Sequence, residues 1–300
     1  MSTPLKTPPR THQMLSRWAE VYARQVGHDA ARVRRWVAYM ALGGALCRET
    51  EDGEPKFALK GGVAMELRLR GRARATSDLD VVLNDRRGEL LAHLEGALAT
   101  PFEQFTFRVR GDARALRRDT VRADVSVRYG GKSWARVQVD LSRGEAGAWE
   151  VEMVDSLDFG GLSFGFPSAL PCLSLHVQAA QKLHAMTLPA ADGRPNHRFR
   201  DLVDLVLLID LIDDLPAFRG VCVGVFAHRD THPWPPEIGV PDEWVQPYRV
   251  LAEQVGLAVT DAGDAALRLR SFLNRMEVAA LELNTAVVPQ VTPAPHAAAG

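Results

Sequence analysis

The sequence predicts an α+β protein, with a small mixed-sheet core between N-terminal helices and a C-terminal helical domain. Apolar residues recur at helical spacing before residue 55, alternate along strands within 56–165, and return to helical spacing within 166–287. The last residues, 288–300, are rich in Pro and Ala, so we expect a disordered tail. We therefore predict four segments, bounded at 1–55, 56–165, 166–287 and 288–300.

Each segment is assigned its elements from local patterns. Two helices are expected in the first segment, around 15–26 and 33–41. In the second, a short helix after residue 62, a strand over 77–83 and a helix over 87–99 precede three strands, at 102–110, 120–128 and 134–141. Tyr129-Gly130-Gly131-Lys132 predicts a hairpin turn between the last two strands. Helices are predicted over 170–186, 198–212, 243–257 and 262–283.

The composition is that of a soluble globular protein of 300 residues. The N-terminus lacks the apolar stretch of a secretory signal, and no run approaches the roughly 18 apolar residues that span a bilayer. Cys47, Cys172 and Cys222 are far apart and odd in number, so we expect neither a disulfide framework nor a zinc site. These observations favour a cytoplasmic protein without a membrane partner.

The net charge of −1 conceals a basic central segment. Residues 60–143 hold 17 Lys and Arg against 11 Asp and Glu, a net charge of +6, and the remainder carries −7. Such a segment suits a polyanion, either RNA or a nucleoside triphosphate. The alternative is that arginines alternating along strands only solvate one face of the sheet.

Asp78 and Asp80 form the first candidate site. Residues two apart on a strand project from the same face, so their carboxylates lie together while Leu79 faces the core. Two like charges repel, and a divalent cation such as Mg²⁺ or Mn²⁺ removes the repulsion. Asp140, in a third apolar strand, would complete a metal site. The alternative is that each Asp only caps a turn.

Lys60-Gly61-Gly62 precedes the predicted helix ahead of Asp78. Glycines allow the backbone to approach a phosphate, and the amides at a helix N-terminus are free to bind it. This turn is not a Walker A loop, because the required Gly-x-x-x-x-Gly-Lys-Ser/Thr pattern is missing. Its position before the Asp78–Asp80 pair strengthens the prediction that this turn binds phosphate.

A family resemblance rests on these motifs. The sequence Leu-Lys-Gly-Gly-Val-Ala-Met at 59–65, followed by Arg-Ala-Thr-Ser-Asp-Leu-Asp at 74–80, resembles the AbiEii-type nucleotidyltransferase toxins, within the DNA polymerase beta-like superfamily. A second likeness joins Gln-Lys-Leu-His-Ala at 181–185 to Arg-Phe-Arg-Asp-Leu-Val-Asp-Leu at 198–205. The family often has Lys where Arg200 stands, and Gly-Ser where this chain has Gly61-Gly62.

The resemblance implies roles for individual residues. It implies that Asp78, Asp80 and Asp140 hold the metal, that Lys182 and Asp204 are catalytic, and that an NTP is the substrate. The expected nucleotide-binding residues are Lys60, Gly61, Gly62, Arg74, Ser77, Lys182 and Asp201. The alternative for Lys182, Asp204 and Arg198 is a structural network that joins two helices. His184, His232, Trp234 and Trp244 are expected to be structural.

The sequence therefore predicts a metal-dependent nucleotidyltransferase that moves NMP from an NTP to an acceptor hydroxyl. The family resemblance implies a tRNA 3′ end as acceptor, a role as the toxin of a toxin–antitoxin or phage-defence system, and a cognate antitoxin as partner. Other acceptors, a small aminoglycoside-like molecule or a protein side chain, stay open. So does a non-catalytic interaction protein with the same fold.

Overall fold

The computed structural model describes residues 7–117, 119–145, 149–162, 164–189 and 196–287. The tail predicted over 288–300 lies outside these residues. The chain divides into two compact units, one formed by Met1–Gln178 with Leu251–Leu257 and the other by Ala179–Val250 with Ala258–Gly300. In the part of the chain that is described, no helix is long and apolar enough to cross a membrane.

The first unit contains four helices and nine strands among its described residues. They are α1 (His12–Val26), α2 (Ala30–Leu46), β1 (Thr50–Glu51), β2 (Glu54–Pro55), β3 (Phe57–Leu59), α3 (Gly61–Leu69), β4 (Asp78–Leu83), α4 (Leu90–Ala99), β5 (Phe105–Arg117), β6 (Thr120–Tyr129), β7 (Lys132–Arg143), β8 (Val151–Asp155) and β9 (Ala169–Leu173).

Seven of these strands form one mixed sheet in the order β5-β6-β7-β4-β3-β9-β8. The pairs β4/β7 and β3/β9 are parallel, and the other neighbours are antiparallel. The predicted hairpin turn is confirmed, because Tyr129 pairs with Lys132 and the two glycines between them have positive φ angles. The predicted α+β class with a mixed sheet is therefore confirmed.

Buried helices cover the sheet and form the core of this unit. Helix α2 is buried along nearly its whole length, and its apolar side chains join those of β4, β6 and β7 in one cluster. Asp29 caps the N-terminus of α2 by accepting a hydrogen bond from Ala31 N. This core fixes the centre of the sheet, where β4 carries the candidate carboxylates.

The second unit is helical. Its elements follow the chain as α5 (Leu175–Met186), α6 (Phe199–Leu208), a 3-10 turn (Ile209–Leu211), α7 (Leu215–Arg229), α8 (Asp242–Gln254) and α9 (Ala262–Val287). The boundary between the units falls within α5 and within α8.

The start of one predicted helix was wrong, and one helix was not predicted. The helix predicted over 170–186 begins at Leu175, because Ala169–Leu173 is strand β9. A continuous apolar run that is buried in a sheet has no alternation to distinguish it from a buried helix. Helix α7 was not predicted, although Phe218, Cys222, Val225 and Phe226 are buried at helical spacing. Gly220 and Gly224 interrupt that pattern and resemble loop residues.

Candidate active site

Helix α3 begins at a glycine turn that lies directly against strand β4. The backbone N–H of Lys60 donates to the carbonyl of Asp80 at 3.0 Å. Gly61 has a φ of +58°, and a Cβ added there would lie 1.9 Å from Oδ2 of Asp80. A Cβ on Gly62 would lie 2.5 Å from the Thr76 side chain. Both glycines are therefore required by close contacts, one of them with the Asp80 carboxylate.

The carboxylates of Asp78 and Asp80 lie on one face of β4, as the sequence predicted. Leu79 is fully buried between the half-buried Asp78 and Asp80. In the parallel register with β7, Asp78 lies opposite Gln138 and Asp80 lies opposite Asp140. The amide of Gln138 donates to Oδ1 of Asp78 at 2.9 Å. The structure thus brings Asp78, Asp80 and Asp140 to neighbouring positions on one face.

Asp140 is engaged by an arginine that the sequence analysis did not identify. Nε and Nη2 of Arg122, on β6, each lie 2.7 Å from an oxygen of Asp140. The hydrogen bond with Asp140 raises the pKa of Arg122, and the charges of Asp78 and Asp80 act in the same direction. No group of three or more His, Cys, Asp or Glu side chains within the described residues is arranged to hold a metal ion.

The remaining predicted residues of this unit surround the carboxylates. Nζ of Lys60 donates to Oγ of Ser142 at 2.7 Å, two residues beyond Asp140 on β7. Arg74 is half-buried and Ser77 is exposed in the loop between α3 and β4. Lys60 therefore lies at the carboxylate face, and Ser77 immediately precedes Asp78.

Supporting residues hold the glycine turn and this loop in place. The Gln178 amide donates to the carbonyl of Gly61 at 2.8 Å. The Tyr39 hydroxyl donates to the carbonyl of Thr76 at 3.1 Å, and burial raises the pKa of Tyr39. Gln138 could have been found from its sequence, because it shares a strand face with Asp140. Gln178, Tyr39 and Arg122 could not, because their contacts depend on tertiary packing or strand register.

Oxygen donors and an open backbone make the Asp78–Asp80 face suitable for a divalent cation. Mg²⁺ prefers oxygen ligands and is commonly held by one or two carboxylates together with substrate phosphates. The Gly61 backbone leaves the Asp80 carboxylate the space that any larger residue would fill. The residues present therefore fit a hard divalent cation.

The other predicted residues form a charged cluster within the second unit. Nζ of Lys182, on α5, lies 2.6 Å from Asp204 and 3.0 Å from Asp201, both on α6. Lys182 is 9% exposed and Asp204 is fully buried. Arg198 reaches Asp201 at 3.5 Å. The cluster joins two helices, as the structural alternative requires, and it also holds one ammonium in a fixed position.

The histidines and tryptophans of this unit make internal contacts. His184 is buried and its Nε2 lies 2.8 Å from Oγ1 of Thr231. His232 Nε2 lies 2.8 Å from Oγ1 of Thr187. Trp244 is buried and donates to the carbonyl of Asn196, while Trp234 donates to Glu277 at 3.1 Å. These contacts are those expected of structural residues.

The comparison with known families identifies the protein as a nucleotidyltransferase. The family described as "Nucleotidyl transferase AbiEii toxin, Type IV TA system" matches residues 44–285. The chain belongs to this family and is thus a nucleotidyltransferase toxin of a type IV toxin–antitoxin system. Membership implies an antitoxin partner, and nucleotidyltransferases generally use an NTP and a divalent metal.

One solved structure is similar to this chain in fold. MenT4, a nucleotidyltransferase toxin from Mycobacterium tuberculosis H37Rv, is 19% identical with a TM-score of 0.56, covering 86% of this chain and 89% of that one. An antigenic nucleotidyltransferase-like protein from Paracoccidioides brasiliensis is 16% identical with a TM-score of 0.37, covering 58% of this chain and 80% of that one. No curated protein sequence matches the chain.

Proposed function

We propose that this enzyme transfers NMP from an NTP to the 3′-terminal hydroxyl of tRNA, in a reaction that requires Mg²⁺ or Mn²⁺. The main support is the close approach of the Gly61 backbone to the Asp80 carboxylate, because these are the turn that we propose to bind phosphate and a residue that we propose to bind metal. We also propose that a cognate antitoxin neutralises this toxin, as part of a toxin–antitoxin or phage-defence system.

Asp78, Asp80 and Asp140 are the proposed metal ligands. When bound, the metal neutralises charge on the triphosphate and on the acceptor oxygen. Gln138 orients Asp78 through its amide, and β7 holds Asp140 opposite Asp80. These strand positions are fixed by the core, so the backbone of each proposed ligand is held at a defined position on the sheet.

The glycine turn is the proposed triphosphate site. The amides of Gly61 and Gly62 open helix α3, and Lys60 supplies a positive charge beside them. Ser77 and Arg74 are proposed to contact phosphate oxygens from the loop before β4. The acceptor oxygen then bonds to the α-phosphorus, the bond from that phosphorus to the oxygen bridging the β-phosphate breaks, pyrophosphate leaves, and Asp140 is proposed to help remove the hydroxyl proton.

Lys182 and Asp204 are proposed as catalytic residues, and Asp201 together with Lys182 as nucleotide-binding residues. The support is the family signature at 181–185 and 198–205 and the burial of a paired ammonium among two carboxylates. Buried charge networks of this kind are costly for stability alone, which is why they frequently mark functional sites.

A basic surface beside the carboxylates favours an RNA acceptor over a small molecule. Arg108 and Arg110 of β5 are exposed and lie opposite Ser126 and Asp124 of β6, while the exposed Arg114 lies opposite Arg122. In the part of the chain that the structure describes, Arg108, Arg110 and Arg114 form no ion pair. Exposed arginines on the face that carries the active-site carboxylates are suited to phosphates of a bound polynucleotide.

The test is incubation of the purified full-length chain with each labelled NTP, Mg²⁺ and total tRNA. We expect labelled RNA with at least one nucleotide. The control substrate is tRNA whose 3′-terminal ribose has been oxidised by periodate. This tRNA lacks the acceptor hydroxyl and should stay unlabelled. Labelling of a protein or an aminoglycoside, with tRNA unlabelled, would instead support one of the other acceptor classes.

A further inference from the structure

A row of four charged residues crosses the edge of the active site. In register from β5 to β4 it runs Arg114, Arg122, Asp140, Asp80. We propose that Arg122 competes with the divalent cation for Asp140, so that it holds this carboxylate in the metal-free enzyme and leaves it when the cation binds. This proposal rests on the metal site of the proposed function.

The geometry of the pair supports direct competition. Arg122 donates one hydrogen bond to each oxygen of Asp140, both at 2.7 Å. This bidentate geometry is the strongest arrangement between a guanidinium and a carboxylate. The Asp140 side chain is only 15% exposed, which limits its freedom to serve a second cation from another direction. A guanidinium and a dication on one carboxylate also repel each other. Asp140 therefore has one cationic partner at a time.

Arg122 also has somewhere to move. Its side chain is 36% exposed, so the guanidinium lies near solvent. On the side of Arg122 away from Asp140, the residue opposite it in the register is Arg114 on β5. The positive charge of Arg114 does not attract the Arg122 guanidinium. A guanidinium released beside a triphosphate binds phosphate oxygens with the same paired geometry that it uses for carboxylate. Substrate binding thus favours the exchange that frees Asp140.

The test measures Mn²⁺ binding to the full-length enzyme by titration calorimetry, without nucleotide. Arg122→Gln should bind Mn²⁺ about fivefold more tightly than the wild type, the effect of losing a partly exposed ion pair. In the Asp140→Asn background, Arg122→Gln should tighten Mn²⁺ binding much less than it does in the wild type, because only the weaker influence of Arg122 on Asp78 and Asp80 remains. Arg122→Lys, which keeps the charge but not the paired geometry, should lie between the wild type and Arg122→Gln.

The control is Arg136→Gln, which removes the same charge from the Arg136–Asp124 pair, away from Asp140. It should leave Mn²⁺ affinity unchanged. Equal tightening in Arg136→Gln and Arg122→Gln, or no tightening in Arg122→Gln and Arg122→Lys, would overturn the competition. Asp80→Asn distinguishes failure of the proposed metal site from failure of the competition by Arg122. Unchanged Mn²⁺ affinity in Asp80→Asn would contradict the metal site itself. If Asp80→Asn loses Mn²⁺ affinity, the metal site stands and the Arg122 variants decide whether the competition occurs.

Discussion

At the scale of single residues, the site depends on a backbone position that cannot carry a side chain. Gly61 has a positive φ and lies against the Asp80 carboxylate. An L-residue there costs about 1–2 kcal/mol for the left-handed conformation alone. It also displaces the carboxylate, because its Cβ would occupy the same space.

Gly61→Ala should therefore lower the rate of nucleotidyl transfer by about 100-fold, the effect expected of displacing a catalytic group by roughly 1 Å. The control is Gly96→Ala in α4, where a Cβ meets nothing within 4 Å. That change should raise the free energy of unfolding by about 0.5–1 kcal/mol and leave the rate unchanged. Equal rates in Gly61→Ala and the wild type would refute the close-contact argument.

Glu66 provides a test based on pH. It is buried in α3, lies 3.1 Å from Arg32 and accepts a hydrogen bond from Trp36. Burial raises the pKa of Glu66 above its ordinary value of 4.5, although Arg32 and Trp36 oppose the shift. A carboxyl whose pKa is raised by folding stabilises the folded state below its unfolded pKa, and that contribution is lost as the pH rises through the folded value.

The wild type should therefore lose stability relative to Glu66→Gln as the pH rises above 4.5. Chemical denaturation at pH values from about 4 to 8 measures the difference between the two free energies of unfolding. Glu95→Gln, the same change at an exposed position of α4, should follow the wild type throughout. Parallel profiles for the wild type and Glu66→Gln would contradict the raised pKa.

At the scale of elements, the carboxylate face could be predicted where periodicity was strong. The alternation around Leu79 placed Asp78 and Asp80 on one face, and Asp140 was expected to join them. Its partner Arg122 required the β6–β7 register, which depends on strand pairing between distant parts of the chain. Strand β9 was not predicted because its apolar run lacks alternation, and helix α7 was not predicted because Gly220 and Gly224 interrupt its pattern.

Helices α5 and α6 are joined by the Lys182–Asp204 pair, and this pair has both a structural and a catalytic interpretation. Lys182→Ala leaves two carboxylates buried beside each other, so it should lower the free energy of unfolding by about 3–5 kcal/mol. Asp204→Asn is milder, because Lys182 keeps Asp201 as its partner at 3.0 Å. The milder variant is the one that separates the two interpretations.

If Asp204 is catalytic, Asp204→Asn should lose at least about 100-fold in transfer rate at a temperature where circular dichroism shows it fully folded. Asp210→Asn, which removes an exposed carboxylate paired with Arg268, is the control and should keep its rate. Transfer by the fully folded Asp204→Asn at the wild-type rate would leave the pair with a structural role alone.

At the scale of the whole molecule, the near-neutral net charge of −1 conceals a basic sheet face. If tRNA phosphates bind there, replacing Arg108, Arg110 and Arg114 together by Gln should weaken tRNA binding. It should also reduce the slope of log K against log salt by about 0.7–0.9 for each phosphate that the variant no longer neutralises. Fluorescence titration over a range of salt concentrations measures both quantities.

The matched control replaces three exposed arginines elsewhere in the first unit, Arg10, Arg17 and Arg24, by Gln. It makes the same change in net charge away from the sheet face. An equal loss of tRNA affinity in both triple variants would show that binding responds to overall charge, and the proposed RNA surface would then be wrong.

The proposed function depends above all on Asp80, which is proposed to support metal-dependent nucleotidyl transfer. The most direct test is the rate at which labelled NMP reaches acceptor, compared between the wild type, Asp80→Asn and the exposed Asp155→Asn. We predict that Asp155→Asn equals the wild type, that Asp80→Asn falls by at least about 1,000-fold, and that a chelator reproduces that loss in the wild type. Transfer by Asp80→Asn at the wild-type rate would contradict the account.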